Sequence, residues 1–391
     1  MPLLTTSLVT RETLKVLSEK LRFLRRVNRE YDSKFAVEGA KVGSTINIRL
    51  PSNGKVRQGR IMDANSPNDR TVPLTLSDQT GVDLAFTSAD LALSIDDFRQ
   101  RYLDQPIANM AAQIEAMVLT RALPQTFNQI GDPTTGLTLS KALAANKVLT
   151  DNLAPPTRFL MTNTAGTVQA VTDTKTLFNS QPQIRDQYED GVMGKAAGFE
   201  WFESTVAPVH TNGAGTGYVV NGANQTGSGL VVGTGTGALP AGTVFNIAGV
   251  FAVHPQTKVS LGVLQDFTVR VTHAGGAGTV QISPAITPTG VDQNVTASPA
   301  NAAALTIEGA VNTSYGVNLG FARDFLTFAT ADLPLPDNVK ASRFQFDGIS
   351  LRMIQDYDII NDMFLNRVDI LWGSAVLRPE LGVRVANSLT A

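Results

Sequence analysis

Along the last quarter of the chain, apolar and polar positions alternate with a period of two. Phe344, Phe346, Ile349, Leu351 and Met353 are interleaved with Gln345, Asp347, Ser350 and Arg352, the pattern of a half-buried strand pair. Asp356-Tyr357-Asp358-Ile359-Ile360-Asn361-Asp362 follows as a polar reversal. Val368-Asp369-Ile370-Leu371-Trp372 then reads as a second strand, running into Leu377-Arg378-Pro379-Glu380-Leu381. The run closes a sheet and contains no catalytic grouping.

At the other end the period is helical. Leu14, Leu17, Leu21 and Leu24 recur three and four apart and predict an amphipathic helix over about Thr10 to Asn28. Around them Arg11, Lys15, Lys20, Arg22, Arg25, Arg26, Arg29 and Lys34 outnumber Glu12, Glu19, Glu30 and Asp32, a local charge of +4. A helix this short is marginal alone in water, and its four leucines offer roughly 6–12 kcal/mol on burial. It therefore needs a surface to lie on: its own domain, a neighbouring subunit, or a membrane or nucleic acid met by the basic face.

From Val42 to Leu93 the period returns to two, with Ile46, Ile48 and Leu50, then Val72, Leu74 and Leu76, then Val82, Leu84 and Phe86. Pro51 to Asp69 interrupts the first two groups with Lys55, Arg57, Arg60, Asp63 and Asp69, beside Arg70. This predicts a protruding hairpin with a charged tip. A lone two-stranded hairpin is marginally stable, so it either rests on a neighbour or is an ordinary surface hairpin with solvated charges. Ser94 with Asp97 reads as a capping box, and Leu103, Ile107, Met110, Ile114, Met117 and Val118 predict a long helix to Pro124, opened or kinked at Pro106. Residues 129–210 mix helices and strands. Between Thr211 and Val317 the only charges are Lys258, Asp266, Arg270, Asp292 and Glu308, glycine is frequent, and short alternating strands recur, which predicts an all-β inserted domain of barrel or sandwich type.

Composition narrows the function. A chain of 391 residues is expected to hold more than one core. Charged residues make up 17%, which leaves much neutral surface of the kind a chain buries against its own copies or a secreted β-protein shows. A net charge of −2 argues against the whole chain being a polyanion binder. The absence of cysteine excludes disulfides and thiolate chemistry. Met1 to Val9 lacks the features of a signal peptide and no run approaches about 18 apolar residues, so a soluble protein folding in the cytoplasm is expected.

Motifs for chemistry are missing where they are sought. Gly213-Ala214-Gly215-Thr216-Gly217 and Gly233-Thr234-Gly235-Thr236-Gly237 lack the order, the strand-to-helix context and the acidic partner of a dinucleotide site. Gly191-Val192-Met193-Gly194-Lys195 is too short for a phosphate loop. His210, His254 and His273 are scattered, with no metalloprotease or nucleophile-elbow motif. Asp356, Asp358 and Asp362 resemble part of a calcium loop but lack its glycine and terminal Glu, so turn capping or pairing with an arginine of an adjacent chain is expected. Two distant carboxylates need no local signature, so a hydrolase stays open as a third reading, behind a tail or cell-surface adhesin-type β-protein as the second.

The order Asn318-Leu319-Gly320-Phe321-Ala322-Arg323-Asp324-Phe325-Leu326-Thr327-Phe328-Ala329, then Leu333-Pro334-Leu335-Pro336, then Asp356-Tyr357-Asp358 and a final strand into Arg378-Pro379-Glu380 resembles the major capsid proteins of short-tailed double-stranded DNA phages whose coat carries an inserted β-domain. The resemblance implies an α+β tailed-phage capsid fold. Its parts would be an N-terminal arm helix (1–35), an extended hairpin with peripheral-domain strands (36–95), a spine helix (96–128), an axial domain (129–210), the inserted β-domain (211–317) and returning strands (318–391). It further implies no enzymatic activity and no cofactor or metal. Implied partners are sister copies in hexamers and pentamers, a separate scaffolding protein (the arm helix starts too early to leave room for a fused one), a portal, and genomic DNA by non-specific contact, with no membrane. Subunit contacts would fall on the arm (Leu14, Leu17, Leu21, Leu24, Arg25, Arg26), the hairpin (Lys55, Arg57, Arg60, Asp63, Asp69, Arg70) and the acidic turn (Asp356, Asp358, Asp362).

Overall fold

A computed structural model of the chain describes residues 5–29, 45–51, 60–61, 70–87, 90, 95–175, 193–337 and 339–390. In chain order the elements begin with α1 (Thr6–Lys20), β1 (Thr45–Arg49), β2 (Thr71–Thr75), β3 (Asp78–Thr87), α2 (Ile95–Phe98) and α3 (Asp104–Ala122). Next come β4 (Gln129–Ile130), α4 (Leu139–Asp151), β5 (Arg158–Thr162), α5 (Thr164–Thr174), β6 (Lys195–Ala196), β7 (Phe199–Glu203) and β8 (Val209–Thr211). They are followed by β9 (Gly227–Val232), β10 (Val244–Val253), β11 (Ser260–Val269), β12 (Gly278–Ile286), β13 (Leu305–Ile307) and β14 (Ser314–Ala322), and then by β15 (Leu326–Ala331), β16 (Lys340–Phe346), β17 (Ile349–Asp358), β18 (Met363–Val376) and β19 (Gly382–Asn387). The architecture is mixed α+β, as expected. Contacts divide the chain into two units: Met1–Ile48, Thr71–Val118 and Leu326–Ala375 form the first, and Arg49–Arg70, Leu119–Phe325 and Val376–Ala391 the second.

In the first unit β15, β18, β17 and β16 lie side by side in that order, and β3 pairs antiparallel with β18 over its whole length. The alternating apolar set of β17 (Ile349, Leu351, Met353) is buried, as are Val368, Ile370 and Trp372 of β18. One face of β16 and β17 is covered by α1. Thr5 caps that helix, its hydroxyl accepting from Leu8 N at 3.4 Å. The helix ends at Lys20, eight residues short of the predicted end, because the next turn takes its hydrogen bonds from elsewhere. Phe23 N and Leu24 N donate to Glu115 Oε1 of α3 at 2.7 and 3.1 Å. The helix predicted before Pro124 is present, but its kink takes a particular form: α2 runs into α3 through a π turn at Arg99–Leu103. Pro106 has no N–H and its ring crowds the carbonyl four residues back, at Tyr102, and the wider turn relieves that conflict.

The second unit holds two sheets. One runs β4-β19-β14-β5-β7-β6, with β8 also on β14. Central β14 is buried from Tyr315 to Ala322, and its Asn318 is wholly enclosed. The Asn318 side chain donates to Val385 O at 2.9 Å and accepts from Asn163 N at 2.9 Å. Asn163 in turn caps α5 by accepting from Gly166 N. Any side chain at Gly316 would collide with Asn163 and Asn387, so glycine there is a packing requirement. The other sheet runs β13-β10-β11-β12-β9. Residues 218–221 close it, since Val220 bridges Val232 at the end of β9 while Val219 bridges Ala304 just before β13. The result is a small barrel filled by Tyr218, Val220, Leu230, Phe245, Ile247, Phe267, Val280 and Ile282, which decides between the barrel and the sandwich.

Candidate assembly surfaces

The amphipathic N-terminal helix was expected to bury its leucines on a neighbour, and this is corrected: Leu14, Leu17, Leu21 and Leu24 are at most 2% exposed within their own chain. The helix is bound by polar contacts as well. Thr6 Oγ1 donates to Gln355 Oε1 at 2.9 Å and Thr10 shares a hydrogen bond with Ser342. Arg99 of the π turn meets Glu12 at 2.8 Å, Glu19 at 2.7 Å and Asp104 at 3.2 Å. Of the two arm arginines expected at a contact, Arg25 is exposed while Arg26 is half-buried and donates to Arg22 O at 3.0 Å. Glu115 is only 3% exposed, and burial pushes its carboxyl up to about 7 against the opposing pull of the Leu24, Phe23 and Arg22 backbone N–H groups.

Lys55, Arg57, Asp63 and Asp69, all assigned to the hairpin tip, lie outside the described residues. β1 and β2 do pair as a two-stranded sheet, and Leu50 N donates to Arg70 O at 2.8 Å. Arg60 is exposed. Arg70 was expected to pair across a subunit boundary, and instead approaches Asp292 of its own chain, at 3.7 Å. Arg70 and Asp292 fall in the same contact unit, the one that holds the barrel.

At the acidic turn between β17 and β18 the carboxylates are turned onto backbone and side-chain donors of the turn itself. Asp358 Oδ1 accepts from Ile360 N at 2.9 Å, its Oδ2 accepts from Asn361 Nδ2 at 2.7 Å, and Tyr357 donates to Asp362 Oδ1 at 2.9 Å. Asn361 and the turn amides hold the Asp358 carboxyl below the usual carboxylate range. Asp356 accepts from Tyr357 N at 2.8 Å. Among the described residues no cluster of three or more His, Asp or Glu could hold a metal ion. What the capped turn holds out is apolar: Ile359 is 82% and Ile360 88% exposed. Behind it, one face of the sheet carries a groove of about 380 Å³ lined by Ala85, Ile354, Leu365, Asp83, Asp356 and Arg367 among others. The sequence reading missed both features. The available signal was a pair of β-branched apolar residues inside a reversal, where turn-forming residues are the rule.

In the second unit a buried polar seam fixes the barrel to the seven-stranded sheet. Arg384 of β19 is fully enclosed. It donates to Gly242 O at 2.6 Å, to Leu123 O after α3, and to Thr268 Oγ1 at 3.3 Å. Burial draws its pKa down to about 10, against the attraction of Tyr315 and Asp266. Asp266 of the barrel accepts from Gln129 N at 3.1 Å, and burial raises its carboxyl to about 7. His210 stands edge-on to Tyr315 with ring centres 5.6 Å apart, and burial, with the Arg384 charge, lowers it to about 4. These groups hold elements together, and none forms a nucleophile–base pair.

The match of this sequence to a family of coat proteins defines the class, a protein that builds a virion shell. Residues 103–386 match the family described as P22 coat protein - gene protein 5, and the chain belongs to that family. It is a major capsid protein of the double-stranded DNA phage type, and its copies form the shell. Similar solved structures include the capsid of Ralstonia phage GP4, at 7% identity and a TM-score of 0.45 over 88% of this chain and 84% of that one. The capsid of cyanophage P-SCSP1u is 13% identical with a TM-score of 0.44, over 90% of this chain and 85% of that one. A structure from Mycobacterium phage Che8 is 11% identical with a TM-score of 0.44, over 92% and 88%. No curated protein matches.

Proposed function

We propose that copies of this chain assemble in the host cytoplasm into an icosahedral shell of hexamers and pentamers. A separate scaffolding protein guides assembly, and a portal admits the double-stranded DNA genome. The family match over residues 103–386 carries this reading. The chain acts as a building block and performs no catalysis. In support, its strongly perturbed ionisable groups serve packing: Glu115 holds backbone amides, Asp266 holds the Gln129 amide, and Arg384 holds carbonyls. Contact with DNA is non-specific and weak, because a net charge of −2 supplies no dense cationic surface. No helix among the described residues is long and apolar enough to cross a membrane.

Many modest contacts multiplied by symmetry hold such a shell together. Negative-stain microscopy of the protein produced alone and with its neighbouring genes tests the reading. Closed shells or rings of subunits are expected, with closure more regular when the scaffolding gene is present. Material that stays monodisperse and monomeric at high concentration under both conditions overturns it.

A further inference from the structure

We infer that Asn221, followed by Gly222 at the end of the segment that closes the barrel, is a site of spontaneous conversion to aspartate and isoaspartate, and that the side chain of Asn301 restrains the reaction. The inference concerns the barrel of a single chain and holds whether or not copies assemble.

An asparagine amide is open to attack by the backbone nitrogen of the next residue, and most open when that residue is glycine, which has no Cβ in the way and a freely turning backbone. A bond forms between Gly222 N and Asn221 Cγ, the Cγ–Nδ2 bond breaks, and Nδ2 leaves as ammonia with the proton of Gly222 N. Solvent water then opens the five-membered imide, at Cγ to give aspartate or at the main-chain carbonyl to give isoaspartate. Three such pairs occur in the sequence: Asn53-Gly54, Asn212-Gly213 and Asn221-Gly222. The first lies outside the described residues. Asn212 is 2% exposed, and its Nδ2 donates to Glu308 O at 2.9 Å and to Ala310 O at 3.2 Å. Its leaving nitrogen is tied down and water is kept away. Asn221 and Gly222 are both exposed, no hydrogen bond holds the Asn221 side chain, and Gly222 takes a φ of 96°.

What restrains Asn221 is the hold on the attacking nitrogen. Gly222 N donates to Asn301 Oδ1 at 2.8 Å, and that hydrogen bond must break before the nitrogen can lose its proton and turn onto Cγ. Asn301 is itself exposed, so it can be replaced without emptying the core. The loop is fixed on its other side as well: Gln225 Nε2 donates to Asn221 O at 2.8 Å and to Gly222 O at 3.1 Å. Conversion would strike the closure of the barrel. Isoaspartate adds one atom to the main chain directly after Val220, whose N–H and carbonyl pair with Ala303 O and Ala302 N, each at 2.9 Å, and it disturbs the Asn221 N donation to Val231 O at 2.9 Å.

The test ages the unassembled full chain at mildly alkaline pH and follows each asparagine by peptide mass spectrometry, from the mass gained when the amide NH2 becomes OH. Each rate is divided by the rate of the same residue in the urea-unfolded chain, so that only the effect of the fold is read. Wild-type protein is expected to convert at Asn221 ahead of Asn212. Asn301→Ala is expected to convert Asn221 about two- to tenfold faster, the factor to which the net worth of one hydrogen bond corresponds, with the rate at Asn212 unchanged. Asn301→Asp keeps an acceptor for Gly222 N and is expected to stay at the wild-type rate. Conversion of Asn212 ahead of Asn221, or none at Asn221 in either wild type or Asn301→Ala, overturns the site. The part given to Asn301 is overturned by equal rates in wild type and Asn301→Ala, by an Asn301→Asp rate as high as that of Asn301→Ala, or by an Asn301→Ala rate that rises equally at Asn212, which would mean that the barrel as a whole had loosened.

Discussion

The leucine face of α1 and the isoleucine apex of the β17–β18 hairpin are both apolar and lie in the same unit, yet they have opposite fates. Four leucines at helical spacing made the N-terminal helix look like an arm awaiting a partner, and all four are enclosed by their own chain. Two isoleucines within a run of Asp and Asn looked like part of a polar turn, and both stand in solvent. Amphipathicity shows that a surface must be covered without saying by what. Apolar residues held out by a turn that has satisfied its own polar groups point to another molecule, because nothing local would cover them.

The sharpest break in that comparison comes from placing a charge at each site. Leu17→Asp buries an unpaired carboxylate where a leucine was fully enclosed. Losing the leucine costs about 2–5 kcal/mol and the stranded charge adds several more. Total stabilities lie in the range of about 5–15 kcal/mol, so the first unit is expected to lose its cooperative transition in a circular dichroism melt. Ile360→Asp is expected to leave stability within about 0.5 kcal/mol, as exposed substitutions do. If Leu17→Asp instead melted like wild type and failed only in assembly, the helix would be an arm after all.

Next in size is the seam. Arg384→Met removes the donor to Gly242 O and Thr268 Oγ1 and strands the Asp266 carboxylate. Breaking one side of a buried charge cluster costs about 3–5 kcal/mol. Adding Asp266→Asn to that variant is expected to restore a measurable part of the loss in chemical denaturation, because the stranded charge goes while the amide of Gln129 keeps an acceptor. Purely additive losses would show that Arg384 acts through its carbonyl contacts alone.

What the chain pattern disclosed follows from periodicity. The strands of the closing sheet, the long helix before Pro124 and the low-charge barrel strands repeat over enough residues to be read, and most of their apolar positions are buried; Phe346 of β16 and Val271 after β11 are exceptions, 57% and 63% exposed. The seam was not readable, since Gln129, His210, Asp266, Tyr315 and Arg384 are far apart in sequence and no spacing rule links them. The end of α1 was missed for a related reason: Glu115, nearly a hundred residues away, competes for the amides of Phe23 and Leu24 that would have extended the helix. The apex was visible and misread, because its acids were counted and its isoleucines were not.

Glu115 gives a pH test of the α1 side of the comparison. Its carboxyl stands at about 7 in the folded chain against an ordinary 4.5, so the folded state favours the protonated form. Its stabilising contribution is complete below about pH 4.5 and is lost as pH rises through about 7, roughly 3 kcal/mol in all. Asp266 shifts in the same direction, also to about 7, so wild-type stability keeps a second such slope when Glu115 is replaced. Glu115→Gln keeps an acceptor for the Phe23 and Leu24 amides and never ionises. Its melting temperature relative to wild type is expected to be higher at pH 8 than at pH 5. A difference independent of pH would mean that the carboxylate is not desolvated and that the 21–27 turn is held by packing alone.

The smallest effect separates contact within the chain from contact between copies. Arg70 and Asp292 are 3.7 Å apart with side chains 42% and 22% exposed, and a half-exposed pair of that length contributes about 0–1 kcal/mol. A double-mutant cycle of Arg70→Ala and Asp292→Ala on the unassembled protein is expected to give a coupling below about 1 kcal/mol, smaller still at high salt. The same cycle measured on assembled shells discriminates the two meanings of the pair. If the charges serve only their own chain, the coupling is unchanged by assembly. If the coupling rises well above about 1 kcal/mol in the shell, neighbouring copies have removed water from the pair, and the base of the hairpin lies at a subunit boundary even though its partner residue does not.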